Sequence, residues 1–124
     1  HFTGCVSQED LTALYHACDV FVLPSISNNE ALGVVQLEAM CCGKPVVSTN
    51  LPTGVPFVNI HEHTGLVVPP KDSEELAAAI NRLLEDETLR RQMGANGRER
   101  VEKHFTSEEM LEKMLNLYRE IMKA

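Results

Sequence analysis

Two short apolar runs on either side of one helical stretch limit what this chain can fold into more than any other feature. Asp19-Val-Phe-Val-Leu23 is apolar almost throughout and is stopped by Pro24. Lys44-Pro-Val-Val-Ser-Thr49 follows, with Pro45 tolerable only at the first residues of a strand. Runs apolar on both faces suit parallel strands covered on both sides. The intervening Ala31–Cys42 reads as a helix that ends at Gly43, the residue type that most readily turns left-handed. Strand, helix, strand in this order implies a right-handed crossover and a parallel sheet.

The flanking segments extend the pattern. Phe2–Val6 reads as a short strand, and Ser7 can cap a helix that runs through Cys18. Leu51–Pro70 is interrupted by Pro and Gly and holds one further strand, Gly65–Val68. From Asp72 onward the chain reads as helical. Leu76, Ile80, Leu83 and Leu84 form one stripe, with Asp72 or Ser73 as cap and Glu74 or Glu75 placed to complete a capping box. A second helix spans Glu87–Lys103, weakened or broken at Gly94 and Gly97, and a third starts at Thr106. The expectation is an α/β fold: a three-layer, Rossmann-like parallel sheet with a helical C-terminal third, forming a single domain over residues 1–124. Ligands of such sheets bind at the carboxyl ends of the strands, here Pro24-Ser25 and Thr49-Asn50.

Composition narrows the partners. The 124 residues are 44% hydrophobic and 23% charged, as in a globular domain, and no apolar run approaches the roughly 20 residues of a membrane span. The first residues show no basic, then apolar, then small-residue leader pattern. The formal net charge of -7 argues against nonspecific nucleic-acid binding. A phosphate-bearing small ligand stays compatible with it, because helix N-terminal amides hold anions locally. Cys5, Cys18, Cys41 and Cys42 lack the spacing of a zinc ribbon or disulfide scaffold and are expected to be buried thiols.

The chemistry concentrates in Ser25–Val47. Glu30 and Glu38 are separated by seven residues, which in a helix places them up to about 12 Å apart along the axis and within about 80° in direction. Carboxylates that flank one glycosidic bond stand roughly 5 to 9.5 Å apart. The wider spacing suits gripping two parts of an extended ligand. Gly33 lets a ligand approach the backbone, and the amides of Gly33, Val34 and Val35, at the positive end of a helix, suit a diphosphate. Glu30 would then meet a sugar and Glu38 a ribose.

This run resembles the Glu-seven-residues-Glu signature of the retaining GT-B glycosyltransferases of the glycosyl transferases group 1 type. The resemblance covers nearly the whole chain: Phe2-Thr-Gly4 with Val6-Ser7, Leu14-Tyr15, Cys18–Ser25, Glu38-Ala-Met40, Gly43–Val47, Thr64–Pro70, Met93-Gly94 and Gly97-Arg98, in that order. It implies the C-terminal, donor-binding domain of a GT-B fold. Glu30 is then the catalytic residue that contacts the donor sugar, and Glu38 binds the ribose. Gly33, Val34, Val35 and Ser25 complete the donor-binding set. The resemblance further implies a nucleotide-diphosphate sugar as substrate, no cofactor and no required metal. Leu51–Pro56 with Asn59 and His61 is similar to bacterial enzymes that build O-antigen, capsular or other surface glycans. Leu32 stands where many relatives have Phe, a change expected to alter packing only slightly.

Such enzymes carry an acceptor domain and donor-diphosphate-binding Arg and Lys upstream of the region that this chain matches. The expected partners are therefore the donor and the missing N-terminal domain. The fragment alone is expected to be inactive, and the full-length protein cytoplasmic or peripheral at the inner membrane face. The final helix presents Leu111, Met114, Leu115, Tyr118, Ile121 and Met122 at helical spacing and is expected to dock on its own domain or on another copy. The alternative in the binding class is a nucleotide-sugar-binding module without chemistry. A flavodoxin- or response-regulator-like module would need an acidic cluster or a hydroxyl-rich phosphate loop after its first strand, which Gly4-Cys-Val-Ser7 does not supply.

Simpler readings exist for the same residues. Glu30 completes a capping-box pattern with Ser27, and Glu38 alone would be an ordinary helix-surface residue, although Leu37, Ala39 and Met40 beside it are apolar. His61 and His63 read as loop histidines rather than metal ligands. Arg90, Arg91, Arg98 and Arg100 read as a solvated face shared with Glu87, Glu99 and Glu102.

Overall fold

The computed structural model describes residues 1–123. Its elements in chain order are α1 (Gln8–Ala17), β1 (Phe21–Leu23), α2 (Val34–Cys41), β2 (Val46–Thr49), α3 (Val55–Val58), β3 (Gly65–Val68), α4 (Ser73–Glu85), α5 (Glu87–His104) and α6 (Ser107–Lys123). The strands form one parallel sheet in the order β1-β2-β3, with Phe21 opposite Val46 and Val46 opposite Gly65.

Side-chain caps start four of the helices. Ser7 Oγ accepts from the Asp10 N–H, Asp72 Oδ1 from Glu75, Asp86 Oδ1 from Leu89 and Thr106 Oγ1 from Glu109. Asp72, not Ser73, is therefore the cap of α4. Gly43 ends α2 at φ +70, and its N–H donates to the Met40 carbonyl, as expected of a left-handed terminator.

The central strand β2 is buried throughout and its side chains alternate between two cores. On one face Val46 joins Tyr15, Ala39, Met40, Val58 and Val101. On the other Val47 joins Leu66, Val68, Ala79, Leu83 and Met93. Because Met93 and Val101 both belong to α5, that helix reaches from one layer to the other. Helix, sheet, helix is the expected three-layer arrangement.

Several boundaries differ from the sequence reading. Phe2–Val6 is not a strand: Phe2 is fully exposed and nothing pairs with the segment. The first strand is shorter, and Phe21–Leu23 is half-buried because it is an edge of the sheet, although Phe21 reaches one core and Val22 the other. The helix expected from Ala31 begins only at Val34, since Gly33 sits at φ +71. Residues expected to be loop include a single helical turn, α3. Leu84 is exposed while Ala79 takes the buried place. Gly94 and Gly97 do not break α5; both are buried in a continuous helix, where α5 packs close to α2 and the turn after it. Cys5 and Cys41 are exposed and Cys18 and Cys42 half-buried, so the expectation of buried thiols fails, and all four are free.

Candidate functional site

The strand ends converge as the sequence implied. The Thr49 hydroxyl at the end of β2 donates to the carbonyl of the half-buried Ser25 at 2.6 Å, which ties the loop after β1 to the sheet. Beside this tie lies a cavity of about 260 Å³ among Pro24, Ile26, Thr49, Pro69, Lys71 and Asp72. A second, of about 450 Å³, opens between Asn50, Pro56, Ile60, His61 and Pro69. Neither cavity is lined by Glu30, which is half-buried ahead of α2, or by Glu38, which is exposed on α2.

Glu30 precedes α2 in a bend. Its N–H donates to the Ser27 carbonyl at 3.4 Å and its Oε1 accepts the Gly33 N–H at 3.0 Å. The carboxylate therefore reaches forward to the helix start instead of completing a capping box with Ser27. This changes the expected role of Gly33. Its N–H is already engaged, and a Cβ there would meet Gln36 Nε2 at 2.6 Å and Leu23 Cδ2 at 2.7 Å. Glycine is required by the left-handed backbone and by packing from within, rather than to clear space for a ligand.

Val34 and Val35 differ from Gly33 in this respect. Both are exposed, and their N–H groups have no hydrogen-bond partner among the described residues. The Gln36 N–H already closes a turn on the Gly33 carbonyl. Two unpartnered donors at the positive end of a helix are suited to an anionic group.

Glu38 lies within α2, and the interval from Glu30 is helical only from Val34 onward. The two carboxylates have different partners and form no shared acid/base pair. Glu38 is exposed, yet its Oε2 accepts a 2.7 Å hydrogen bond from the hydroxyl of Tyr15 on α1. Tyr15 is only 8% exposed and its ring stands 5.7 Å from that of Phe21. Burial first, and the hydrogen bond to Glu38 second, push the phenol well above its ordinary pKa, so it remains a donor. Tyr15 entered the sequence reading only as part of a matching segment. A partner 23 residues away has no signature in spacing along one helix.

Gln36 and Gly54 were also missed. Gln36 is fully buried; its Nε2 donates to the carbonyls of Leu32 and Val55, and its Oε1 is buried without a partner among the described residues. The Gly54 N–H donates to the Ala31 carbonyl at 2.6 Å. Together they hold the Glu30–Gly33 loop against the turn that opens α3, with the half-buried Leu32 side chain over Gly54.

The remaining polar residues have structural partners. His61 Nδ1 accepts the Val67 N–H, and the His63 carbonyl accepts from Asn96. Among the described residues no three His, Cys, Asp or Glu side chains stand close enough to hold a metal ion. Lys44 donates to the His16 carbonyl, away from the strand ends. Arg91 and Arg98 pair with Glu87 and Glu102 on the surface of α5. Arg90 and Arg100 do not belong to that solvated face: Arg90 donates to the last carbonyls of α4, and Arg100 to Phe57 and Val58 at the end of α3. Among the described residues no helix is long and apolar enough to cross a membrane.

Comparison with known proteins places the fold in a family. Residues 1–100 match the profile of the family described as glycosyl transferases group 1. The O-antigen chain mannosyltransferase C of Escherichia coli is 35% identical over 123 residues, covering 99% of this chain and 33% of that protein. Sucrose-phosphate synthase from Thermosynechococcus elongatus superposes with a TM-score of 0.86 at 42% identity, over 99% of this chain and 30% of that one. HepE of Anabaena, in complex with UDP and glucose, superposes with a TM-score of 0.83 at 27% identity, over 97% of this chain and 32% of that one. The chain thus spans about a third of the length of these relatives. With its first hundred residues matching the family profile and its three-layer fold shared with these structures, the chain belongs to the glycosyl transferases group 1 family.

Proposed function

We infer that the chain is the donor-binding part of a retaining glycosyltransferase, which moves a sugar from a nucleotide-diphosphate donor to an acceptor in bacterial surface polysaccharide synthesis. The observation that carries the reading is the start of α2, where the unpartnered N–H groups of Val34 and Val35 follow the Glu30 loop and precede Glu38 on the same helix. In this reading the amides take the diphosphate, Glu30 faces the donor sugar and Glu38 the ribose hydroxyls. The complex of HepE with UDP and glucose, and the polysaccharide role in the name of the Escherichia coli relative, support the substrate class.

The exposed placement of Glu38 supports a second half of the cleft supplied by the rest of a longer polypeptide. The cationic groups that stabilise a departing diphosphate come from there as well, since no Lys or Arg adjoins Val34 in sequence. Without that half, the apolar face of α6 is free to meet a second copy of the chain. The proposal includes a cytoplasmic location with peripheral contact at the inner membrane face, which cell fractionation tests.

Thermal-shift screening of the full-length protein against uridine-, guanosine- and adenosine-diphosphate sugars tests donor binding. One donor should raise the melting temperature by mass action, and silence across the panel would refute the reading. With the preferred donor, Glu30→Gln is expected to lower kcat roughly 100-fold, the scale of losing one aligned polar group in a transition state. Unchanged turnover would remove Glu30 from the mechanism. The 124-residue chain alone is expected to show no transfer, and steady release of nucleoside diphosphate by it would contradict a two-part cleft.

A further inference from the structure

We propose that Tyr15 is a positioning residue for ribose recognition: its buried hydroxyl holds the exposed Glu38 carboxylate in the one orientation that receives the ribose of the donor. The inference rests on the reading of Glu38 given above.

The argument starts from the contrast in burial. A glutamate on the outer face of a helix ordinarily samples many rotamers, and a ligand that needs one of them must pay for the lost freedom on binding. Glu38 is exposed, but its carboxylate is hydrogen-bonded to a phenol that cannot itself move freely. The Tyr15 ring is packed in the core with Met40, Val46 and Val101 and lies against Phe21. Its hydroxyl meets the Glu38 carboxylate on α2.

The bond leaves the carboxylate able to work. A carboxylate offers about four lone-pair directions on two oxygens, and the phenol uses one of them on Oε2. Oε1 has no partner among the described residues and stays available to a ribose hydroxyl. The phenol is protonated at neutral pH and burial pushes its pKa further up, so it acts as a donor to the carboxylate and does not compete with it. A hydrogen bond to an ionised acceptor is among the stronger kinds, enough to select one rotamer.

Ribose dependence separates this role from a merely structural one. UDP, GDP and ADP, each beside its 2′,3′-dideoxy counterpart, are titrated by calorimetry against the full-length protein and its Glu38→Ala, Tyr15→Phe and Tyr15→Met variants. Tyr15→Phe keeps the ring contacts, and Tyr15→Met removes the hydroxyl with a different apolar filling. Both are expected to weaken the preferred nucleotide roughly 5- to 20-fold while leaving the dideoxy form nearly unchanged. Equal losses for both forms would make Tyr15 structural and overturn the proposal. So would unchanged affinity in both Tyr15 variants when Glu38→Ala shows the ribose-dependent loss. If Glu38→Ala itself binds both forms as the wild type does, the ribose role of Glu38 fails and the proposal with it.

Discussion

Asn59 gathers four interior hydrogen bonds. Its Nδ2 donates to the Val46 and Leu66 carbonyls and to Ser48 Oγ, while Oδ1 accepts from Thr64 Oγ1. The residue is fully buried, so no water replaces a lost partner. Asn59→Ala is expected to destabilise by about 2 to 4 kcal/mol in urea denaturation, the scale of stranding buried polar groups beside a cavity. Sequence inspection marked Asn59 only for its resemblance to surface-glycan enzymes. Its role as a clamp between β2 and β3 depends on two strands that are distant in sequence. At the surface, the Arg82 guanidinium beside Glu62 holds that carboxyl below its usual range. A depressed folded pKa means that the contribution is fully present above the unfolded Glu value of about 4.3 and is lost as pH falls through the folded one. Both side chains are about half exposed, so the effect is screened. Glu62→Gln should lower the urea midpoint slightly at pH 7 and leave it unchanged near pH 2.

Helix α5 shows how an element can contradict its own propensities. Gly94 and Gly97 read as helix weakeners, yet the backbone passes through them unbroken because α2 and the turn after it lie against that face. A Cβ at Gly94 would stand 2.0 Å from the Gly43 carbonyl oxygen, whereas one at Gly97 would meet the Met40 Cγ at 3.1 Å. Backbone cannot yield as a methionine side chain can. Gly94→Ala is therefore expected to cost at least about 3 kcal/mol, despite the roughly 1 kcal/mol better helix propensity of Ala. Gly97→Ala should fall within about 1 kcal/mol of the wild type, because that same propensity gain offsets a contact that Met40 can relieve. Thermal unfolding of the two variants side by side separates packing from propensity. The caps of α1 and α4 were legible because a cap is local, Ser7 and Asp72 each bonding an amide three residues on. The start of α2 was not, since Gly33 adopts its left-handed φ where Leu23 and Gln36 crowd it.

At the scale of the molecule, α6 stands apart. None of its described residues is buried, and Leu111, Met114, Leu115, Tyr118, Ile121 and Met122 remain exposed along it. The expectation that it would dock on its own domain is not met. A contiguous apolar stripe of this kind drives association in water. The 124-residue chain is expected to sediment as a concentration-dependent dimer, and Leu115→Glu with Ile121→Glu to return it to monomer; a wild-type monomer at all concentrations would count against self-association. The parallel strand-helix-strand core and the caps of α1 and α4 were determined by the sequence itself, because periodicity, caps and terminators act over a few residues. Tertiary structure alone decided that Gln36 and Leu23 crowd Gly33, that Tyr15 holds Glu38, that Asn59 joins two strands, and that α5 runs unbroken through its glycines. Each of these is a contact between segments brought together only by packing, and no local pattern encodes which distant atom will fill a given space.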